Sequence, residues 1–309
     1  MLRITIHTAT YNRAYILEKA YESLKAQTCK DFEWIITDDG STDNTAELVT
    51  EWRSNDNGFD IIYNPLVHVG IPRALNSGVS KARAKWFMML DSDDMLVPSA
   101  VEKVVGWLTE IESLPGELKI GGIGFCRCFP DGTYMKPQKP LIDPVVGYLD
   151  ATHLDRAFYN LDMDSCEVHN TDLLRKYPFQ YWPTEKYAPE QLCFYEIAFA
   201  GWKLRWRDER LYICDYLPDG QTRDNRLVMN NPMGFAMMYN QNIRRFGGFR
   251  AHFMNSMQMI ALSYSAHHLE YLKQSNDKIA TAVAFPLGIL LGLRRKYQFM
   301  MLSKRDLSQ

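Results

Sequence analysis

Hydrophobic and polar positions follow two alternating periods over the first hundred residues. Short apolar runs of strand length are each followed by a polar cluster and then by a segment with apolar residues every three to four positions. The predicted strands are 4–8, 32–37, 59–63 and 86–90, and the predicted helices are 16–26, 46–52 and 71–84. Strand–helix alternation at this spacing predicts βαβ units and a parallel sheet.

Polar clusters come directly after three of these strands, at 10–13, 38–43 and 91–94. Open parallel sheets bind their ligands beyond the carboxyl ends of the strands. Three polar clusters on one edge of the sheet are hard to explain by solvation alone. The pattern therefore predicts a binding site at this edge.

The cluster Asp91-Ser92-Asp93-Asp94 carries the most specific chemistry of the three. Carboxylates crowded at a strand end raise one another's pKa unless a cation lies among them. Hard divalent ions bind carboxylate oxygens and complete their coordination with waters and substrate phosphates. An isolated acidic cluster of this kind is more often a solvated turn. Together with the upstream clusters, it favours metal-assisted binding of a phosphorylated ligand.

Composition limits the class of protein. The chain has 309 residues, 46% hydrophobic and 23% charged, which is typical of one large or two smaller globular domains. Its net charge of −2 gives no reason to expect a nucleic-acid partner. Six scattered cysteines, of which only Cys126 and Cys128 are close, indicate free thiols and not a zinc site. With no apolar signal region at the start, the sequence predicts a cytoplasmic protein.

The pattern changes beyond residue 115. The sequence predicts an exposed loop at 130–144, helices at 171–177 and 189–200, and strands at 203–206 and 211–215. After residue 230 strand signals nearly vanish, so we expect helices to dominate there.

The C-terminal segment 279–305 combines apolar and basic character. An uncharged run at 279–293 is followed by five basic residues, which are Arg294, Arg295, Lys296, Lys304 and Arg305. This pattern suits a segment that lies on the inner face of the cell membrane beside anionic headgroups. It is equally typical of a helix buried on the core or in a homo-oligomer contact. Pro286 predicts an element in two pieces, because proline breaks or kinks helices.

Four motifs taken together resemble the family 2 glycosyltransferases, inverting enzymes of the GT-A fold that use nucleotide-diphosphate sugars. They occur in the family's order and spacing at 8–13, 38–43, 70–78 and 91–94. The resemblance is strong over residues 1–100, weaker over 160–222 and loose beyond.

The resemblance implies an α/β fold of the GT-A type, with a Rossmann-like and mostly parallel central sheet and a helical C-terminal extension. It places the glycosyltransferase domain at 1–225 and the extension at 226–309. Within the domain, residues 1–115 would form the nucleotide-sugar-binding half and residues 116–225 the acceptor-binding half.

The same resemblance implies roles for individual residues. Tyr11 would stack on the base, by preference uracil, and Asp39 would accept a hydrogen bond from the base or ribose. Asp93 and Asp94 would hold Mn²⁺ or Mg²⁺. The residues implied to contact the nucleotide sugar are Thr8, Tyr11, Arg13, Asp39, Arg73, Asp91, Ser92 and Asp93. Three alternatives stay open: Tyr11 as an aromatic residue that caps the sheet edge, Asp38 or Asp39 as a helix cap, and Arg73 as a surface charge.

Glu190 matches the position of the family's catalytic base, which takes the proton from the acceptor hydroxyl. Proline at 189 and glutamate at 190 are also favoured at the first turn of any helix, so a structural role is the alternative. Glu185 and Glu196 are the other candidates for the base, and Asp164 is a candidate contact to the acceptor.

The sequence departs from relatives of this family in two places. The segment 201–206 lacks the glutamine that precedes Arg205-Trp206 in processive synthases. The segment 214–222 lacks the histidine that serves some relatives as a metal ligand, which leaves Asp219 or water as a third ligand.

The implied function is metal-dependent, inverting transfer of a sugar from a nucleotide-diphosphate donor to a hydroxyl of a saccharide or lipid-linked glycan, as in cell-surface polysaccharide synthesis. One alternative is a sugar-phosphate nucleotidyltransferase, but residues 10–13 lack the glycine- and arginine-rich loop that its triphosphate requires. The other is a catalytically inactive protein that keeps the fold as a glycan-binding scaffold.

Overall fold

The computed structural model describes residues 1–135, 139–161, 165–214 and 226–306. The chain forms two compact units. The first, here the sheet unit, comprises Met1–Phe179 and Cys193–Leu217, and the second, the helical unit, comprises Gln180–Leu192 and Pro218–Gln309. The predicted domain boundary after residue 225 borders a segment outside the described residues, so it stays a prediction.

The sheet unit is built on nine strands in the described part of the chain. They are β1 (Ile4–Thr10), β2 (Phe32–Asp38), β3 (Asp60–Pro65), β4 (Trp86–Met89), β5 (Met95–Leu96), β6 (Ile120–Cys128), β7 (Leu149–Ala151), β8 (Ser165–Asn170) and β9 (Lys203–Ile213). Their order is β3-β2-β1-β4-β8-β6-β9-β5, with β7 beside β9. The first four strands in this order are mutually parallel, and β8 adds to β4 in the antiparallel sense.

The α-helices of the described residues follow the predicted alternation and then continue without strands. They are α1 (Ala14–Lys25), α2 (Thr45–Ser54), α3 (Ile71–Lys81), α4 (Ala100–Glu112), α5 (Thr171–Lys176), α6 (Gln191–Phe199), α7 (Leu227–Asn230), α8 (Pro232–Arg245), α9 (Phe249–Ser265) and α10 (Lys278–Asp306). The predicted fold class, an α/β sheet of the GT-A type followed by a helical region, is confirmed.

Strand β2 shows why the sequences of the parallel strands are continuous apolar runs. All seven of its residues are buried. Trp34 and Ile36 point into one hydrophobic cluster, whereas Ile35 belongs to the cluster on the other face of the sheet. Because helices cover both faces, neither set of alternate positions meets water.

Gly78, which weakens the helix prediction for 71–84, has a packing role inside α3. A Cβ atom at position 78 would lie 2.2 Å from Cδ2 of His7 on β1. The glycine therefore lets the helix approach the sheet closely, and this close approach outweighs its low helix propensity.

Two features of the second half of the sheet differ from the sequence prediction. The predicted strands 203–206 and 211–215 are one continuous strand, β9. The sequence analysis did not predict strand β6, because its glycines have a low strand propensity. Gly124 is required there by packing, since a Cβ atom would lie 2.3 Å from Cε3 of Trp206.

In the helical unit, α10 packs against α9 through small residues. Cβ atoms at Gly288 and Gly292 would lie 2.7 Å from Cβ of Ile260 and 2.8 Å from Cδ1 of Tyr264. The prediction that Pro286 divides this segment was wrong, because α10 is a single helix with Pro286 inside it. Packing on both sides of the proline stabilises the continuous helix, and Pro286 itself lies on the exposed side. Among the described helices, none combines the length and the apolar character that crossing a membrane requires.

Candidate functional site

The loops that follow β1 and β2 are joined at the carboxyl edge of the parallel strands. The two strands pair in register from Ile4 opposite Phe32 to Thr10 opposite Asp38. Beyond them, the backbone N–H of Asn12 donates to Ser41 Oγ over 2.8 Å. The backbone N–H of Thr42 donates to Asn12 Oδ1 over 2.7 Å. The polar clusters at 10–13 and 38–43 therefore form one surface.

The buried carboxylate of Asp39 fixes the turn before α3. Its Oδ1 accepts the backbone N–H of Val69 at 2.6 Å, and its Oδ2 accepts that of Gly70 at 2.9 Å. Nδ1 of His68 lies 3.1 Å from the same Oδ2. Asp39 thus positions the turn 68–70 beside the other two loops, and its predicted contact to a base or ribose stays a prediction.

The ring of His68 stacks on Tyr11. The two ring centroids are 4.0 Å apart, and the planes are inclined by 15°. Tyr11 is still 42% exposed. A planar base could add to such an aromatic pair by stacking. Sequence reasoning missed His68, whose only signal was its place just before the motif at 70–78.

The helix-capping alternative for Asp38 and Asp39 is not what these side chains do. Asp38 accepts the backbone N–H of Ser41 and the hydroxyl of Tyr63, at 2.8 and 2.6 Å. It is Asp43 that accepts the backbone N–H of Thr45 at the start of α2, over 3.1 Å. Asp38 and Asp39 therefore fix loops, whereas Asp43 binds a backbone N–H at the start of α2.

Arginines contact the acidic loop that follows β4. Arg13 Nη1 donates to Asp93 Oδ2 over 2.7 Å. Arg127 Nη1 lies 3.0 Å from Asp91 Oδ2 and 3.6 Å from Asp94 Oδ2. The start of α1 and strand β6 thus each bring one arginine to three carboxylates that lie within four residues of one another.

Arg127 is held by its surroundings on β6. Its Nε donates to the carbonyl of Ser165 over 3.2 Å, and its guanidinium lies 4.3 Å from the centroid of the Tyr212 ring. The Tyr212 hydroxyl in turn accepts the backbone N–H of Asp91 over 2.8 Å. Sequence reasoning missed both residues. The available signal was an arginine between two cysteines in an apolar stretch.

Burial and the nearby charge of Asp91 raise the pKa of Asp94 to about 8, whereas the charge of Arg127 acts in the opposite direction. This is the direction expected of crowded, buried carboxylates. Arg127 therefore compensates only part of the negative charge on the acidic loop.

The donor chemistry of the acidic loop suits a hard divalent cation. In the part of the chain that the structure describes, no group of three or more His, Cys, Asp or Glu side chains is arranged to hold a metal. However, Asp93 and Asp94 offer carboxylate oxygens, and a cation would offset the burial and the nearby charge of Asp91 that raise the pKa of Asp94. Asp219, the proposed third ligand, lies outside the described residues.

The remaining residues predicted to bind the donor occupy different environments. Thr8 is fully buried, and its Oγ1 accepts the indole N–H of Trp34 over 2.9 Å. Arg73 lies in the first turn of α3 and donates to the carbonyl of Val69 over 2.7 Å. Ser92 is buried in the turn of the acidic loop. Their contacts to a ligand stay predictions.

The candidates for the catalytic base lie in or beside α6. Glu190 is exposed and directly precedes this helix in the segment that belongs to the helical unit. Glu185 is buried, and its two oxygens accept the backbone N–H groups of Met233 and Gly234, each over 2.7 Å, at the start of α8. Glu185 is therefore committed to a structural contact. Glu196 lies within α6, and Asp164 lies outside the described residues.

Comparison with known sequences agrees with this geometry. Residues 5–113 match the model of the family "Glycosyl transferase family 2". A 99-residue stretch is 38% identical to a chondroitin synthase of Pasteurella multocida, covering 32% of this chain and 10% of the synthase. A 105-residue stretch is 30% identical to the GalNAc(5)-diNAcBac-PP-undecaprenol beta-1,3-glucosyltransferase of Campylobacter jejuni, covering 34% of each protein. The matched stretches therefore span 10% and 34% of the length of these two relatives.

Solved structures share the fold at low identity. The chain resembles S. aureus TarS 1-349 in complex with UDP-GlcNAc, with a TM-score of 0.62, 16% identity and coverage of 96% of this chain and 83% of that one. It also resembles the mannosyltransferase PcManGT of Pyrobaculum calidifontis in complex with GDP-Man and Mn²⁺, with a TM-score of 0.53, 13% identity and coverage of 96% and 87%. At this identity the likeness establishes the GT-A fold alone.

Proposed function

We propose that this chain, which belongs to glycosyl transferase family 2 through residues 5–113, transfers a sugar from a nucleotide-diphosphate sugar to an acceptor hydroxyl with inversion at the anomeric carbon. The observation that carries the proposal is the meeting of four polar loops at the carboxyl edge of the parallel strands. Contacts between Asn12 and Ser41, Asp39 and Val69, and Arg13 and Asp93 join these loops.

The surface that these loops form suits the two ends of a nucleotide diphosphate. Tyr11 and His68 offer an aromatic stack for a base, and Asp39 orders the turn on which His68 lies. Arg13, at the start of α1, is available to meet a diphosphate by exchanging its contact with Asp93. Uridine is our preferred base, which the complex of the fold neighbour TarS with UDP-GlcNAc supports.

Asp93 and Asp94 are the residues that would hold Mn²⁺ or Mg²⁺. When bound, such an ion stabilises the negative charge that develops on the departing nucleotide diphosphate. Arg127 keeps Asp91 and Asp94 close together before the donor arrives, since it contacts both carboxylates. The acidic loop is thereby preorganised and needs little rearrangement on binding.

Glu190 is our proposed general base. Glu190 is exposed just before the first turn of a helix, where the helix dipole favours negative charge, and its carboxylate can accept the proton of an acceptor hydroxyl. The negative charge of Glu190 already affects its surroundings, because burial and then this charge raise the pKa of Tyr187 to about 12.

The acceptor class that we propose is a saccharide or a lipid-linked glycan. The names of the relatives support it, since one is a chondroitin synthase and another acts on an undecaprenol-linked glycan. The matches to these relatives cover 32% and 34% of this chain.

Binding of the donor is the first test. Thermal midpoints are measured with UDP-, GDP- and dTDP-sugars, each with and without Mn²⁺ or Mg²⁺. A ligand at 100 times its dissociation constant adds about 2.7 kcal/mol to the free energy of unfolding, which moves the midpoint by several degrees. We expect a shift with a UDP-sugar that depends on the divalent cation.

Matched variants distinguish the acidic loop from general charge effects. Asp93→Asn should abolish the cation-dependent part of the shift, because it removes a proposed ligand. Asp56→Asn, at an exposed carboxylate elsewhere in the sheet unit, should leave the shift unchanged. If no nucleotide sugar moves the midpoint of the wild-type protein, the scaffold alternative replaces sugar transfer. A cation-dependent shift that survives in Asp93→Asn would remove Asp93 from the metal site.

A further inference from the structure

The side of α10 that does not pack on α9 is apolar and exposed. Its apolar positions recur every three or four residues along the helix, which places them on one face. This α10 stripe consists of Ile279, Val283, Leu287, Leu290, Leu293 and Tyr297, whose exposed fractions range from 48% to 74%. Scattered apolar residues are normal at protein surfaces, but a continuous stripe marks a binding surface.

Packing decides which side of α10 is available. Ala280 and Ala284 are fully buried, and Gly288 and Gly292 lie in close contact with α9. These four residues occupy the side opposite the stripe. The large apolar residues of the stripe are therefore not the ones that hold the helix in the helical unit, and the stability of the unit does not account for them.

Basic charge is concentrated in the same part of the chain. Residues 226–306 include eleven arginines and lysines but three aspartates and glutamates, although the whole chain has a net charge of −2. Arg294 is exposed beside the stripe, whereas Lys296 follows Gly292 at helical spacing and its Nζ lies 3.1 Å from Nε2 of His267. Lys304 and Arg305 continue the basic sequence, but their side chains lie outside the described residues.

We propose that the α10 stripe binds the surface of an anionic lipid bilayer, with α10 lying in the plane of the interface. Helices with one apolar face and flanking Lys or Arg bind in this way, with the apolar side chains among the acyl chains and the basic groups at anionic headgroups. At 1.5 Å per residue, the stripe from Ile279 to Tyr297 provides a contact about 27 Å long.

Charge favours a bilayer over a second copy of the chain as the occupant. A two-fold contact places the same patch of both copies together, so two basic segments would meet. Such a contact would place Arg294 of both copies in one interface, whereas an anionic membrane offers opposite charge. The proposal is independent of the sugar-transfer reaction, because none of the residues involved is assigned to donor binding or to catalysis.

The test uses the full chain and vesicles of defined composition. Partition is measured by flotation with phosphatidylcholine vesicles and with vesicles that also contain phosphatidylglycerol, at low and high salt. We expect strong partition into the anionic vesicles, weaker partition into neutral ones, and a loss of the difference at high salt, where charges are screened.

Variants at the stripe identify the surface. Leu290→Glu should lower the partition coefficient by about 10- to 100-fold, which corresponds to the loss of one buried leucine. Val67→Glu is the matched control in the sheet unit, where Val67 is 88% exposed, and it should bind as the wild type does. Arg294→Gln should reduce the preference for anionic vesicles by about fivefold, since a basic residue near such a surface contributes about 1 kcal/mol, and it should keep the weaker neutral binding.

Three results would overturn the proposal. The first is failure of the folded wild-type chain to bind anionic vesicles. The second is equal loss of partition in Leu290→Glu and Val67→Glu, or no loss in either. The third is a wild-type dimer that Leu290→Glu converts to a monomer in sedimentation without lipid, which would assign the stripe to self-association. Because Leu290 is 61% exposed, a preserved thermal midpoint will show that its variant is folded.

Discussion

The acidic loop of the sheet unit and the α10 stripe of the helical unit each concentrate one kind of side chain at a surface. In the acidic loop, Asp93 contacts Arg13, and Arg127 contacts the other two acids. The stripe instead leaves its large apolar side chains exposed, while glycine and alanine make the contact with α9. Charges inside a fold need compensation from the fold itself, whereas an exposed apolar surface gains free energy when it meets a partner.

The largest expected change is in the turnover of a Glu190 variant. Glu190 belongs to the helical unit by its position in the chain. If the unit contributes chemistry as well as a surface, Glu190→Gln should lower turnover by about 10² to 10⁴, the usual contribution of a general base. Donor affinity, measured by calorimetry, should be retained. Glu196→Gln in α6 is the matched variant and should keep the wild-type rate. The opposite pattern would transfer the role of base to Glu196.

The second effect concerns compensation within the acidic loop. Arg127→Met should lower the free energy of unfolding by about 1.5 to 3 kcal/mol, because it removes the cation from the exposed carboxylate of Asp91 and the buried one of Asp94. Urea denaturation at neutral pH measures this change. Arg175→Met breaks an exposed pair with Asp172 and should cost less than about 1 kcal/mol. Equal costs for both variants would mean that Arg127 does not stabilise the loop.

How well each region could be predicted from sequence follows from the same difference. The loop at 91–94 could be placed because a strand end and its acids are adjacent in the chain. Its partner Arg127 could not, because it arrives from β6, whose glycines hide the strand. For α10, the sequence predicts an apolar and basic segment. The contacts of Gly288 and Gly292 with α9, which the sequence does not reveal, determine which face of α10 is left exposed.

Acid should weaken the sheet unit through histidines that its core keeps neutral. Burial lowers the pKa of both His7 and His169 to about 3, from 6.5. The unfolded chain therefore takes up these protons first. The stability that the two neutral histidines contribute to the folded state is fully present above pH 6.5. It is lost as the pH falls from 6.5 towards 3.

The expected loss is about 1.4 kcal/mol per pH unit for each histidine in that range. Urea denaturation at several pH values measures the slope. In His169→Phe, which keeps an aromatic ring beside Phe194, the contribution of one histidine to the slope should vanish. If the variant shows the wild-type slope, His169 is not the group that titrates.

The smallest expected change in the free energy of unfolding tests whether the helical unit also depends on a compensated charge. Glu185 accepts two backbone N–H groups at the start of α8, where the helix dipole favours negative charge. Glu185→Gln keeps the shape but removes the charge and one acceptor, so it should lower the free energy of unfolding by about 1 to 2 kcal/mol. Glu270→Gln, outside α8, should change it far less. Since Glu185 is distant in sequence from the α10 stripe, vesicle binding should be unaffected. If Glu185→Gln loses stability but partitions into vesicles as the wild type does, the contact of Glu185 with α8 stabilises the helical unit. The α10 stripe then binds lipid independently of that contact.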